Sequence, residues 1–386
     1  MKNAGAEMFV YLDSAATTGV LKEAADAAYT VMMEGYGNPS SRYPMASAAG
    51  KRLAADRAAV AAGLGCKPKE LVFTSCGTES NNWAIHMGAA LNRRKGKHII
   101  TTAIEHAAVL ETCKAMEKEG FDVTYLSPTP EGSIDLEELK AALRPDTVLV
   151  SMMLVNNELG TVLPVKEACQ LVKAFDRKIL FHTDAVQGFL KVPFTPASLG
   201  VDFLSISGHK VHAPKGIGGL YIRSGVNLPP YITGGGQEQG LRSGTEATAQ
   251  IAAFAAAVNC CKSSFRQDIA HMEELKAYTL SRLAEEVPQV EAIGQGKAPH
   301  ILALTLPNYK AEVLVRVLGD NGVCVSAGSA CHRGKPSHVY AAMGLSKAQR
   351  DGAFRVSFDR STTKEEIDCF VSELAKAKKI LFPTMS

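Results

Sequence analysis

The chain lacks several features that would each have fixed a function class. No apolar run approaches the roughly 20 residues that a membrane-spanning helix needs, and the N-terminal MKNAGAEMFVYLD has no apolar core of a secretory signal. A cytoplasmic protein with no membrane partner is therefore expected. The net charge is only +3 and no long basic run occurs, which argues against a nucleic-acid partner. Nine cysteines are present, yet no two are spaced C-x-x-C, so neither a thiolate zinc site nor a redox motif is signalled, and no metal site is expected. No G-x-G-x-x-G follows a strand in the first half and G-x-x-x-x-G-K-[ST] is missing, which disfavours dinucleotide and P-loop chemistry. Internal repeats and low-complexity tracts are also missing.

What is present is an ordinary globular composition: 386 residues, 46% hydrophobic and 21% charged. That length predicts two domains, or one large domain with a smaller appendage. Helical spacing marks Val20–Glu34 and Met45–Leu64, with GYGNPSSR (35–42) as a loop between them. Short apolar runs then predict strands at Leu71–Thr74, His98–Thr102, Val123–Leu126, Thr147–Leu154, Ile179–Thr183, Phe203–Ser207 and Gly219–Ile222. Helical patterns at Ser80–Asn92, Glu105–Gly120, Asp135–Leu143 and Val165–Phe175 separate several of them. Strands joined through helices make an α/β fold around a mainly parallel sheet, which places ligands at the strands' carboxyl ends. Glu246–Glu286 reads as a long helical bridge to a smaller α+β unit. That unit has strands near His300–Leu306, Val323–Ser326 and Ala353–Phe358.

Chemistry gathers at those strand ends. The strand Phe203–Ser207 stops in Ser207-Gly208-His209-Lys210. An amine there, its charge suppressed, suits Schiff-base chemistry with an aldehyde. A single loop lysine is usually no more than solvated, and a strand-end aspartate such as Asp184 usually caps a helix. Together they say more, because a buried carboxylate needs a cationic or hydrogen-bonding partner and a protonated pyridine nitrogen is one. His106 and Asn157 close two other strands. Phe73-Thr74-Ser75-Cys76-Gly77-Thr78-Glu79-Ser80 opens a helix with small residues, as an anion site does, although a plain N-cap reads the same way. In the smaller unit Cys331 sits in SAGSAC, followed by His332, Arg333 and Lys335. Neighbouring cations lower a thiol's pKa, so of the nine cysteines this one suits a thiolate nucleophile.

In combination these stretches resemble the cysteine desulfurase family, within the class V aminotransferase group of fold-type-I pyridoxal-phosphate enzymes. The resemblance rests on YLDSAATT, GNPSSR, FTSCGTESNN, HIITTAIEHAAVLETC, VNNELG, HTDAVQ, SGHKVHAPKGIGGLY, GGGQEQGLRSGT, SAGSAC and FRVSF, in that order along nearly the whole chain. It implies a mainly parallel seven-stranded sheet in a large cofactor-binding domain (16–262). It also implies a small α+β domain (1–15 and 263–386) carrying the Cys331 loop. Lys210 would hold pyridoxal 5'-phosphate covalently, with Asp184 on the pyridine nitrogen, Gln187 on the ring oxygen and His106 stacked on the ring. Gly77, Thr78, Ser207 and His209 would hold the phosphate. Thr245 would reach the phosphate of the other subunit of a homodimer. Asn157, Arg355 and Asn38 would bind ring and substrate carboxylate, and Cys331 would accept sulfur from L-cysteine and pass it to an iron–sulfur scaffold or tRNA-thiolation protein. The chain departs from the family pattern at Gln237 and Gln239, at Cys76, where glycine is common, and in the basic HRGKPSH that follows Cys331.

Two other readings are compatible with parts of this pattern. Selenocysteine lyase, cysteine sulfinate desulfinase or a small-substrate transaminase would share Lys210, Asp184 and Arg355 but need no cysteine nucleophile. A non-catalytic scaffold in a sulfur-transfer complex would need none of these residues intact.

Overall fold

The computed structural model describes residues 9–328 and 337–383. Its centre is a seven-stranded sheet built from β1 (Leu71–Thr74), β2 (His98–Thr102), β3 (Asp122–Leu126), β4 (Thr147–Ser151), β5 (Leu180–Asp184), β6 (Phe203–Ser207) and β7 (Gly218–Ile222). The strand order is β1-β7-β6-β5-β4-β2-β3. Six strands run one way, and β7 lies antiparallel between β1 and β6. Every residue of these strands is buried except in the edge strand β3, where only Leu126 is, as a sheet covered on both faces requires.

Alternation along the strands sends successive side chains to opposite faces. Val72, Ile99, Leu149, Phe203 and Leu220 pack with Trp83 and Val109 on one side. Phe73, Ile100, Val150, Phe181, Leu204 and Ile206 pack with Phe189 and Phe254 on the other. Trp83 is fully buried, and its indole N–H donates to the Pro229 carbonyl at 2.8 Å. Truncating such a side chain to alanine costs about 3–5 kcal/mol.

A second core forms around a three-stranded antiparallel sheet of Glu291–Ala292, Ile301–Thr305 and Ala353–Ser357. Leu302, Leu304, Phe354 and Val356 meet Leu275, Leu314, Phe370 and Leu374 there, and Val10 and Leu12 join them from the far end of the chain. Val10–Tyr11 pairs in parallel with Val323–Cys324. The amino-terminal stretch therefore leaves the second core and runs directly to the first.

Element boundaries differ from the sequence reading in instructive ways. The bridge expected at Glu246–Glu286 is two helices, Thr248–Ser263 and Phe265–Glu286, parted at Ser264. The helix expected from Ser80 begins at Gly77, and the one expected from Glu105 begins at Ala107 because His106 is its N-cap. Strand β4 ends at Ser151 rather than Leu154, although the amides of Met152 and Leu154 still donate to the carbonyls of His182 and Asp184. No helix among the described residues is long and apolar enough to cross a membrane.

Candidate active site

Because the strands carrying the candidate residues are parallel, their carboxyl ends open at one edge. A cavity of ≈ 230 Å³ lies there. Gly77, Thr78, His106, Asn157, Asp184, Gln187, Ser207, His209, Lys210 and Arg355 all line it. Asn38 and Thr245 do not: both are exposed, and Asn38 Oδ1 accepts the Ser40 amide in a local turn. Cys331 lies outside the described residues.

Lys210 ends a single 3₁₀ turn, Gly208–Lys210, directly after β6. Its Nζ donates to the carbonyls of Ala15 and Ala16 at 2.6 and 2.7 Å. The same Ala15 carbonyl accepts from Gln187 Nε2 at 2.8 Å, and Gln187 Oε1 faces His300 Nε2 at 3.3 Å. Among the described residues, one amide hydrogen of Gln187 is left for a ligand.

Asp184, the last residue of β5, is 5% exposed. Its Oδ2 accepts from Asn81 Nδ2 at 2.6 Å and its Oδ1 from the Val186 amide at 2.9 Å. Both oxygens are thus oriented by the fold before any ligand arrives. Asn81, one turn into the helix that Gly77 begins, is a site residue the sequence reading missed. The only signal for it was its place four residues after Gly77 on a helix facing the sheet.

His106 Nδ1 accepts the Ala108 amide at 3.1 Å, which fixes the ring and leaves the proton to Nε2. His209, whose Nδ1 faces Thr17 Oγ1 at 3.2 Å, is pushed down to about 4 by burial and by Lys210, Lys215 and His106, so it is neutral at pH 7. Glu105 was also missed. Its carboxyl is fully buried, pushed up to about 8 by desolvation and, against the pull of its hydrogen bonds, by Asp184. Its Oε1 accepts from the Met153 amide at 2.8 Å and Thr102 Oγ1 at 3.0 Å.

The cavity suits a ring with a phosphate arm. The helix Gly77–Leu91 starts at Cys76 with no side-chain cap, so no capping side chain among the described residues competes for its first amides, which suit an anion. Ser207 Oγ is buried with no hydrogen-bond partner among the described residues. A β-carbon on Gly218 would lie 2.7 Å from the Cys76 backbone, so only glycine lets β7 pass so close to this turn. Lysine, carboxylate, histidine and anion donors are the set that pyridoxal phosphate needs.

Arg355 closes the cavity from the second sheet. It is 2% exposed, and its Nη1 donates to the Asn157 carbonyl at 2.6 Å. Its Nη2 donates to Asp13 Oδ1 at 2.7 Å.

This geometry agrees with what the chain resembles. The aminotransferase class-V family model matches residues 10–370, and the chain belongs to that family. Within it the chain falls in the cysteine desulfurase group. A cysteine desulfurase of Trichormus azollae is 41% identical over 93% of this chain and 90% of that protein. A solved NifS-like protein superposes with a TM-score of 0.92 at 38% identity, covering 97% of this chain and all of the other. The structure of SspA in complex with cysteine gives a TM-score of 0.78 at 35% identity over 92% of this chain and all of that one.

Proposed function

We propose that this cysteine desulfurase takes sulfur from L-cysteine onto Cys331, using pyridoxal 5'-phosphate held at Lys210, and releases alanine. The observation that carries this is the meeting of Lys210, Asp184, His106 and Arg355 around one cavity. Bound there, pyridoxal phosphate supplies an electron sink next to the substrate's Cα. Asp184 would hold a ring proton through a carboxylate already oriented by Asn81. Lys210 would move the Cα proton once its amine is free, with the Ala15 and Ala16 carbonyls as its resting acceptors. Arg355 would grip the substrate carboxylate, with Asn157 and Asn38 completing the ring and carboxylate contacts. Gly77, Thr78, Ser207 and His209 would hold the phosphate. The cavity-lining residues among these carry the donors their roles need, whereas Asn38, outside the lining, would have to give up its Ser40 contact to join them.

The Cys331 thiolate would then attack the substrate sulfur, and the carbon–sulfur bond would break to leave a persulfide on Cys331. Two contacts support this reach. Ser337 Oγ donates to Glu158, next to Asn157, and His338 Nε2 meets the Glu105 carbonyl, next to His106. The six-residue separation between Cys331 and Ser337 spans at most about 20 Å. SspA, solved with cysteine, supports cysteine as the substrate.

The proposed enzyme is a cytoplasmic homodimer with a large lobe of 16–262 and a small lobe of 1–15 and 263–386. Exposed Tyr29, Met32, Met33, Tyr36, Tyr43 and Met45 support a covered face, and exposed Thr245 suits a contact with the other subunit's phosphate. The eight described cysteines are all free thiols, as a reducing compartment requires. The sulfur would pass to an acceptor such as an iron–sulfur scaffold or a tRNA-thiolation protein. Replacing Cys331 with alanine tests the reading: cofactor uptake should persist while sulfide release from cysteine is lost. Full desulfuration by Cys331→Ala would instead favour a lyase or desulfinase that needs no cysteine nucleophile.

A further inference from the structure

Asp13 does not line the cavity, yet its carboxylate already occupies one edge of the guanidinium that does. The pair is well enclosed, with side chains 2% exposed at Arg355 and 19% at Asp13. Arg355 is held at two corners, by Asp13 and by the Asn157 carbonyl, while its Nε has no partner among the described residues. The backbone fixes Asp13 in turn. Asp13 bridges Ser357, two residues beyond Arg355 on the same strand, and the Ala15 amide donates to Ser357 Oγ.

A substrate carboxylate approaching this site meets an arginine–aspartate pair of zero net charge rather than a bare cation. Substrate and product are both α-amino acids with the same carboxylate, so a site that grips one tightly grips the other equally. Binding of that uniform kind lowers KM without raising kcat, and here it also holds back product. We propose that Asp13 is a positioning residue that orients Arg355 and limits how tightly the site holds an amino-acid carboxylate, so that alanine leaves readily. This rests on the reading of Arg355 as the carboxylate anchor.

Asp13→Asn tests it, since the amide keeps an acceptor oxygen for Nη2 but removes the charge. KM for L-cysteine and the inhibition constant of L-alanine should both fall, on the order of tenfold. Calorimetric binding of L-alanine should tighten by the same factor. Binding of cysteamine, which has no carboxylate, should not change. A merely damaged site would lose affinity, so a gain is the distinguishing result. Unchanged or weaker alanine binding would overturn the proposal. A melting curve verifies the fold of Asp13→Asn, and Asp13→Ser gives the same comparison should the first variant not fold. Arg355→Gln separates the two claims. If it binds alanine as well as the parent does, the carboxylate anchor is wrong. If it loses alanine while Asp13→Asn gains nothing, only the role given to Asp13 falls.

Discussion

Asn81 Nδ2 lies 2.6 Å from Asp184 Oδ2, and both side chains are buried. A hydrogen bond to a charged acceptor is worth about 1.5–3 kcal/mol. Asn81→Ala should therefore weaken pyridoxal-phosphate binding about 10- to 100-fold. Titration of the apoprotein, followed by the cofactor's absorbance, measures this directly. An unchanged dissociation constant would remove Asp184 from the proposed ring contact.

Lys210 is the proposed covalent anchor. Borohydride reduction of the pyridoxal-phosphate-loaded protein should fix the cofactor's mass on the peptide containing Lys210. Lys210→Ala should take up cofactor without the fixed adduct and turn over no cysteine. A reduced adduct on another lysine would refute the assignment.

Glu238 and Gln239 both adopt left-handed backbone, with φ of 50° and 62°. The segment is held by Glu238, whose carboxylate takes two bonds from Arg57 at 2.6 and 2.7 Å and one from the Phe73 amide at 2.9 Å. Breaking one partner of a buried pair costs about 3–5 kcal/mol, so Glu238→Ala should lower stability by that order. Gln239→Gly should instead raise it by about 1 kcal/mol, since glycine adopts that φ freely. Denaturant midpoints at constant slope report both changes.

Stability should also depend on pH in two opposed windows. His182 and His209 are pushed down to about 3 and about 4, chiefly by burial, and His300 is held well below its usual value. Below pH 6.5 the unfolded chain binds protons that these folded histidines refuse. Their contribution is therefore complete above 6.5 and is lost as pH falls through about 4 and on toward 3. Glu105 works in the other direction. With its folded value pushed up to about 8, it costs stability as pH rises from about 4.5 to 8. Glu105→Gln should flatten the decline between pH 6.5 and 8 and, with the opposing carboxyl gone, steepen the histidine-driven rise between about 4.5 and 6.5. Denaturation free energies across that range decide it, and an unaltered decline would count against the buried carboxyl.

The sequence made the sheet and most of the cavity legible, for a physical reason. Short apolar runs such as Phe203–Ser207 have no other stable place than a doubly covered sheet, and their carboxyl ends bring Asp184, Ser207 and Lys210 together. The reversed direction of β7 left no trace in composition, because a strand buried on both faces reads the same either way. Partners brought together by tertiary folding were equally hidden. Asp13 and Arg355 are 342 residues apart, and Asn81 meets Asp184 across 103. Local spacing shows neither pair. Glu105 was passed over because a glutamate beside a helix start is ordinarily solvated, whereas here it lies behind the cavity wall.

The account depends most on Cys331 receiving the sulfur. Incubating the pyridoxal-phosphate-loaded protein with ³⁵S-labelled L-cysteine and digesting it without reductant tests this directly. The peptide containing Cys331 should gain one sulfur atom, with alanine formed in equal amount. Alanine released with no added mass on that peptide, or label carried on a different cysteine, would contradict it.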